Sequence, residues 1–210
     1  MDLVDQLIQS NYLKTPSIIK AFRKIKREDF VPPSAKKKAE VNEPLSIGYG
    51  QTISQPLTVA FMLELLEPKE GDKVLDIGSG SGWVSALLAE IVGKTGKVFA
   101  IERIPELKEF GESNASKYGF INNGRIEFIL GDGIKGLPEF APFNCIYVGA
   151  AAAKVPLALS EQLAIKGKMV IPLGIENQEI ALIRKISQNY FLKKSFPGFI
   201  FVPLVNENKK

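Results

Sequence analysis

The 210-residue chain contains no histidine. Ser-His-Asp and Cys-His catalysis are therefore excluded, and so are zinc sites built on imidazole; no metal is expected. Cysteine is nearly as scarce. Cys145 stands alone, which rules out an internal disulfide and suits a reducing cytoplasm. Apolar runs such as residues 59–66 are short and interrupted, too short to span a membrane. The opening MDLVDQLIQ carries acids where a secretory signal carries lysines, so no targeting segment is expected. Excess charge of one sign is small: 27 Lys and Arg against 23 Asp and Glu leave +4, a mild bias toward acidic substrates or nucleic acid. The basic runs at 36–38 and 209–210 read as a solvated face and a frayed tail.

What remains is an ordinary globular composition, 45% hydrophobic and 24% charged, of a size for one α/β domain with an N-terminal addition. The chain is organised around residues 73–88, KVLDIGSGSGWVSALL. Val74, Leu75 and Ile77 predict a strand buried on both faces, and Val84, Leu87, Leu88 and Ile91 predict a helix. Gly78, Gly80 and Gly82 lie between them. A dinucleotide fingerprint would place glycine at position 83, where this chain has Trp, and Asp76 precedes the first glycine by two. That pattern suits a loop admitting the amino-acid part of a cofactor rather than one gripping a pyrophosphate.

Upstream, residues 1–13 and 16–26 predict amphipathic helices, prolines break the pattern at 27–34, and a short helix is expected at 35–42. Residues 43–50 read as loop or edge strand, and 57–66 as a core helix. Downstream, strands alternate with helices: strands at 97–101, 125–130, 143–148 and 168–172, helices at 105–118 and 155–163, and a turn at Lys166 and Gly167. This predicts a doubly wound, mostly parallel sheet. Residues 179–186, 191–196 and 199–204 look strand-like with no helix between them, predicting an antiparallel C-terminal edge. The chain thus divides into 1–56 as helical addition and active-site loop, 57–174 as Rossmann-like core and 175–210 as edge.

Glu102 ends the second strand, where an acid bonds ribose hydroxyls in nucleotide folds. Asp132 lies between Gly131 and Gly133 past the third strand, in a position to meet an exocyclic amine. With the glycine loop these acids imply an adenosyl ligand without phosphate, and S-adenosyl-L-methionine fits. Ser54, in QTISQP, reads either as a helix N-cap ahead of Pro56 or as a hydroxyl over the site. After the fourth strand stands GAAA rather than the Asn/Asp-Pro-Pro-aromatic run of base amine methylation. Cys145 reads as a small buried apolar residue. No general base is evident, and a carboxylate acceptor needs none, being ionised at neutral pH.

The segments IGYGQTISQP (47–56), VLDIGSGSGW (74–83), IERIPEL (101–107), GDG (131–133), VGAAA (148–152), KGKMVIPLG (166–174) and FVPL (201–204) together resemble the protein-L-isoaspartate O-methyltransferases. These are repair enzymes that methylate the α-carboxyl of isoaspartyl residues. The resemblance implies a seven-stranded class I methyltransferase fold with Ser54 as active-site serine. It implies that Gln51, Thr52 and Ile53 line the substrate site. Asp76, Gly78, Ser79 and Gly80 would hold the methionine part of the cofactor, Glu102 with Arg103 the ribose, and Asp132 with Gly133 the adenine. Val202, Pro203, Leu204 and Val205 would close over an isoaspartyl peptide. Ala153 stands where the family usually has proline, and Val205 where it often has a small or polar residue. The implied substrates are isoaspartyl proteins and peptides, with S-adenosyl-L-homocysteine as product; a monomer is expected, with neither nucleic acid nor membrane involved. The alternatives are an RNA or small-molecule methyltransferase on the same scaffold, and a non-catalytic adenosyl-binding module.

Overall fold

Apolar spacing and chain geometry agree over the middle of the molecule, where a computed structural model describes residues 2–205. The basic pair at 209–210 lies outside the described residues. Strand β3 (Lys73–Ile77), helix α4 (Trp83–Val92), β4 (Lys97–Glu102), α5 (Pro105–Ser116), β5 (Ile126–Leu130) and β6 (Phe143–Val148) fall within a few residues of the sequence reading. Before them come α1 (Leu3–Gln9), α2 (Pro16–Lys24), the hairpin strands β1 (Leu45–Gly48) and β2 (Gln51–Ile53), and α3 (Pro56–Leu66). After them come α6 (Leu157–Gln162), β7 (Leu163–Leu173), β8 (Glu179–Ser187) and β9 (Tyr190–Pro197).

The main sheet has seven strands in the order β5-β4-β3-β6-β7-β8-β9. The first five are mutually parallel; β8 and β9 each pair antiparallel with their predecessor, forming the expected antiparallel edge. Strand period sorts the core onto two faces. Val74, Val98, Cys145, Tyr147 and Val170 meet α3, α4 and α5, while Leu75, Ile77, Phe99, Ile146 and Ile171 face the thinner cover of α6 and the loop before β6. Strand order reverses between β3 and β6, the switch point where open α/β sheets bind ligands beyond their strand ends. Among the described residues no helix is long and apolar enough to cross a membrane.

Three local expectations need correction. The helix expected at 35–42 is a 3₁₀ stretch, Pro33–Lys38, which buries no side chain and so lacks the packed apolar face that sustains an α-helix. The turn expected at Lys166 and Gly167 is a bulge inside the single strand β7. The register jumps from Phe143 opposite Leu163 to Cys145 opposite Lys168, and Lys166 takes φ 68°. Residues 199–204 form no strand of the sheet; only an isolated parallel bridge joins Pro203 to Ala151.

The N-terminal helices dock on the core through buried charge as well as apolar faces. Glu64 of α3 accepts from the Lys14 and Thr15 N–H groups at 2.8 Å, at the mouth of α2. Glu90 of α4 pairs with Lys24 at 2.7 Å.

Candidate active site

The glycine loop is shaped by where its N–H groups go. Gly78 and Ser79 donate to the Ile101 carbonyl at 2.9 and 3.0 Å, and Gly80 donates to Glu102 Oε2 at 2.9 Å. Three N–H groups that could have cradled a phosphate are thus spent inside the protein. What the loop offers a ligand is acceptors, consistent with the expectation that it does not grip a pyrophosphate. Its tightness has a steric cause: at Gly82, with φ 82°, a Cβ would come within 2.7 Å of the Gly111 carbonyl of α5.

Two carboxylates stand beneath this loop. Asp76 is 1% exposed on β3 and accepts from Ser85 Oγ of α4. Burial pushes its carboxyl up to about 7; the Ser85 hydrogen bond opposes the shift and the charge of Glu102 adds to it. Glu102 accepts from Gly80, Arg103 and Ile104 N–H groups, which hold its side chain at the end of β4. Tyr147 lies opposite Asp76 in the β3–β6 register, so both side chains share one face.

The other wall comes from the hairpin β1–β2. Its two-residue turn, Tyr49-Gly50, has φ 55° and 69°, the signs a type I′ turn needs. The hairpin delivers Gln51, Thr52, Ile53 and then Ser54. The N-cap reading of Ser54 is not what the structure holds. Asn42 caps α3 instead, accepting the Leu57 N–H on Oδ1 at 3.0 Å, while Gln55 donates to the Asn42 carbonyl at 3.0 Å. A residue outside the hairpin thus does the capping, and Ser54 is among the residues that line the cavity. The roof is the C-terminal segment. Ala151 N–H donates to the Val202 carbonyl at 2.8 Å, and Leu204 N–H to the Ala151 carbonyl at 2.7 Å. Gln178 pairs with both backbone groups of Phe201.

These walls enclose about 910 Å³ of empty space, solvent at the mouth included. Ser54, Asp76, Gly78, Ser79, Gly80, Glu102, Arg103, Gly133, Gln51, Thr52, Ile53, Val202, Pro203, Leu204 and Val205 all line it. Asp132 does not, although its neighbours Gly131 and Gly133 do. Its Oδ1 accepts from Ile134 N–H at 2.9 Å, and its Oδ2 is buried without a hydrogen-bond partner. Ala153 is exposed and away from the lining, whereas Val205 is part of it.

A model of the protein-L-isoaspartate(D-aspartate) O-methyltransferases matches residues 1–209. The chain belongs to that family. The curated protein-L-isoaspartate O-methyltransferase of Aeropyrum pernix is 45% identical, with 98% of this chain and 79% of that protein covered. That of Thermococcus onnurineus is 46% identical, with 98% and 92% covered. Among solved structures, a protein-L-isoaspartate O-methyltransferase 27% identical superposes with a TM-score of 0.87, covering 97% of this chain and 65% of that one. A Plasmodium falciparum chain named for the same activity, solved with S-adenosyl-L-homocysteine, shares the fold at 24% identity and TM-score 0.88, covering 97% and 96%.

Within this family member, sequence reading missed several lining residues: Ile47, Trp83, Ile104 and Tyr147. Tyr147 sits in the apolar run FNCIYV and reads as core. Its hydroxyl is nonetheless buried with no hydrogen-bond partner beside Asp76. A tyrosine at the end of the strand adjoining the glycine loop is the one signal that could have found it. Arg27, taken only as part of a helix break, is also missed. It makes no contact with the cavity itself but reaches the Ser54 carbonyl.

Proposed function

We propose that the chain transfers a methyl group from S-adenosyl-L-methionine to the free α-carboxylate of L-isoaspartyl residues, leaving a methyl ester on the damaged protein. The observation that carries this is the place of Ser54: relieved of capping by Asn42, it lines a cavity that Asp76 and Glu102 also line. The cofactor fits the cavity's chemistry. Asp76 would hold its ammonium and Glu102 its ribose hydroxyls, while Asp132, buried next to the lining residues Gly131 and Gly133 with Lys135 at 3.9 Å from Oδ2, would accept from its exocyclic amine. When bound, it supplies a methyl on a positively charged sulfur, which departs as neutral S-adenosyl-L-homocysteine.

The protein's own part is positioning and desolvation. No base is required, because the acceptor carboxylate is ionised at neutral pH with a pKa of about 4. Ser54 donates its hydroxyl proton in a hydrogen bond to one carboxylate oxygen and so aims the other. Ile47, Ile53, Val202 and Leu204 supply apolar wall that excludes water from the attack line. Gln51 and Thr52 at one lip and Pro203 and Val205 at the other bracket the peptide. The reading includes a monomer in the cytoplasm with no nucleic-acid partner. A single buried cysteine and no disulfide suit a reducing compartment.

The test is transfer of labelled methyl to two peptides differing only in isoaspartyl or aspartyl at one position. Transfer to the isoaspartyl peptide alone is expected; transfer to neither, with cofactor bound, overturns the substrate assignment. Ser54→Ala should lower kcat by roughly 10²-fold, the usual cost of one preorganised donor, with cofactor affinity kept. Activity within about twofold of the unaltered chain, roughly 0.4 kcal/mol, would remove Ser54 from the mechanism.

A further inference from the structure

The most unusual side chain outside the cavity is Arg27. It is a guanidinium only 3% exposed whose hydrogen bonds all go to backbone carbonyls and none to a carboxylate. Nη1 donates to Ala39 at 2.9 Å and Val41 at 3.3 Å; Nη2 donates to Glu43 at 2.9 Å and Ser54 at 3.1 Å. Its central carbon lies 5.4 Å from the ring centre of Trp83, the first residue of α4 and part of the cavity wall. Trp83 is braced from behind by Phe22 of α2, edge-on at 5.6 Å. One side chain therefore ties together the irregular segment 39–43, the end of the hairpin and the helix that follows the glycine loop.

Burying an unpaired cation is costly, and a fold carries that cost only where the fork does something an apolar residue would not. Burial lowers the guanidinium to about 10, the charges of Glu40 and Glu43 working against this, so it stays charged at neutral pH. The Ser54 carbonyl is fixed by this contact. With Asn42 taking the cap of α3, the two flanks of Ser54 are held from outside the hairpin.

We propose that Arg27 is a positioning residue for methyl transfer. Its guanidinium sets the orientation of Ser54, and with it the acceptor carboxylate, against the cofactor wall at Trp83. This deepens the active-site reading above and rests on it for the role of Ser54. Arg27 also lines a second cavity, open to solvent and separated from the first at Trp83, with about 1050 Å³ of empty space on the same measure. A small cation can therefore reach the place its side chain leaves.

The experiment uses the full chain as Arg27→Ala and Arg27→Lys. Misplacing a reacting group by about 1 Å costs on the order of 10²-fold, so kcat on the isoaspartyl peptide should fall toward that extent in both variants. Cofactor affinity, read from the fluorescence of Trp83, the chain's single tryptophan, should change little. Guanidinium added at sub-denaturing concentration should restore much of the lost kcat in Arg27→Ala, and none in Ser54→Ala. Amide exchange should rise at residues 51–57 and not in β3. Full activity in Arg27→Lys, or a lowered Tm with kcat intact, would overturn the proposal and leave Arg27 a structural staple. Exchange rising equally throughout, with no guanidinium rescue, would overturn it as well. If the unaltered chain methylates neither peptide, the functional reading fails by itself, and the exchange pattern still decides whether Arg27 orders the Ser54 segment.

Discussion

The two walls of the cavity are built on opposite principles. The cofactor wall is local: strand, glycine turn and helix follow one another within β3 to α4, and Glu102 completes it from the next strand. The acceptor wall is assembled from distant pieces. Arg27 holds the Ser54 carbonyl, Asn42 caps the helix that follows, and the roof at 201–204 is clipped to Ala151 and Gln178. Local walls fail when their own backbone is strained, whereas assembled walls fail when a remote side chain is removed. Substitutions should therefore separate cofactor binding from methyl transfer.

The sharpest break is expected at Gly82→Val. A β-branched residue at φ 82°, overlapping the Gly111 carbonyl, should cost about 3–5 kcal/mol from strain and overpacking combined. Denaturant unfolding and cofactor titration should worsen together. A variant as stable as the unaltered chain would show that the loop and α5 can separate.

Next in size is a pH effect confined to the cofactor wall. Asp76 is held at about 7, above its unfolded value, so folding of the unliganded chain takes up a proton between about pH 4 and 7. That contribution to stability is full below the unfolded value and is lost as pH rises through about 7. The cofactor's ammonium favours the ionised carboxylate, so its affinity should run the other way. Kd should rise roughly tenfold per unit as pH falls below 7, with proton release on binding seen by calorimetry in two buffers. Asp76→Asn should flatten the profile; a profile of unchanged slope would remove Asp76 from ligand contact.

Glu102→Gln keeps the shape and removes the charge that gathers three N–H groups. About 1.5–3 kcal/mol of loop order and ribose affinity should be lost, measured as a weaker cofactor Kd at nearly unchanged kcat. The smallest effect belongs to the acceptor wall. Asn42→Ala uncaps α3 for about 1 kcal/mol and lets the Ser54 hydroxyl compete for the freed N–H. Methyl transfer should fall several-fold while cofactor affinity holds; a parallel loss of both would mean the walls are not independent.

The same contrast explains what could be read without coordinates. Period-2 and period-3.6 patterns located β3 to β6 and their helices, because a strand buried on both faces has few other solutions. Residues 199–204 share that apolar signature yet form only a bridge, since their backbone groups bond to Ala151 and Gln178 beside the cavity rather than to the open edge of β9. The β7 bulge at Lys166 imitated a turn because both need a left-handed residue. Tyr147 was hidden because a buried hydroxyl beside a carboxylate looks, in one dimension, like any aromatic in a strand.

By itself, the sequence determined the sheet class, the glycine loop and the absence of imidazole chemistry, since each is written in contiguous residues or in composition. Only the tertiary structure decided that Ser54 is free of capping, that Arg27 holds its carbonyl while Asn42 caps α3, and that the C-terminal segment roofs the site. Those outcomes are competitions for hydrogen bonds between residues far apart in the chain, and a competition is settled only when all contestants are brought together.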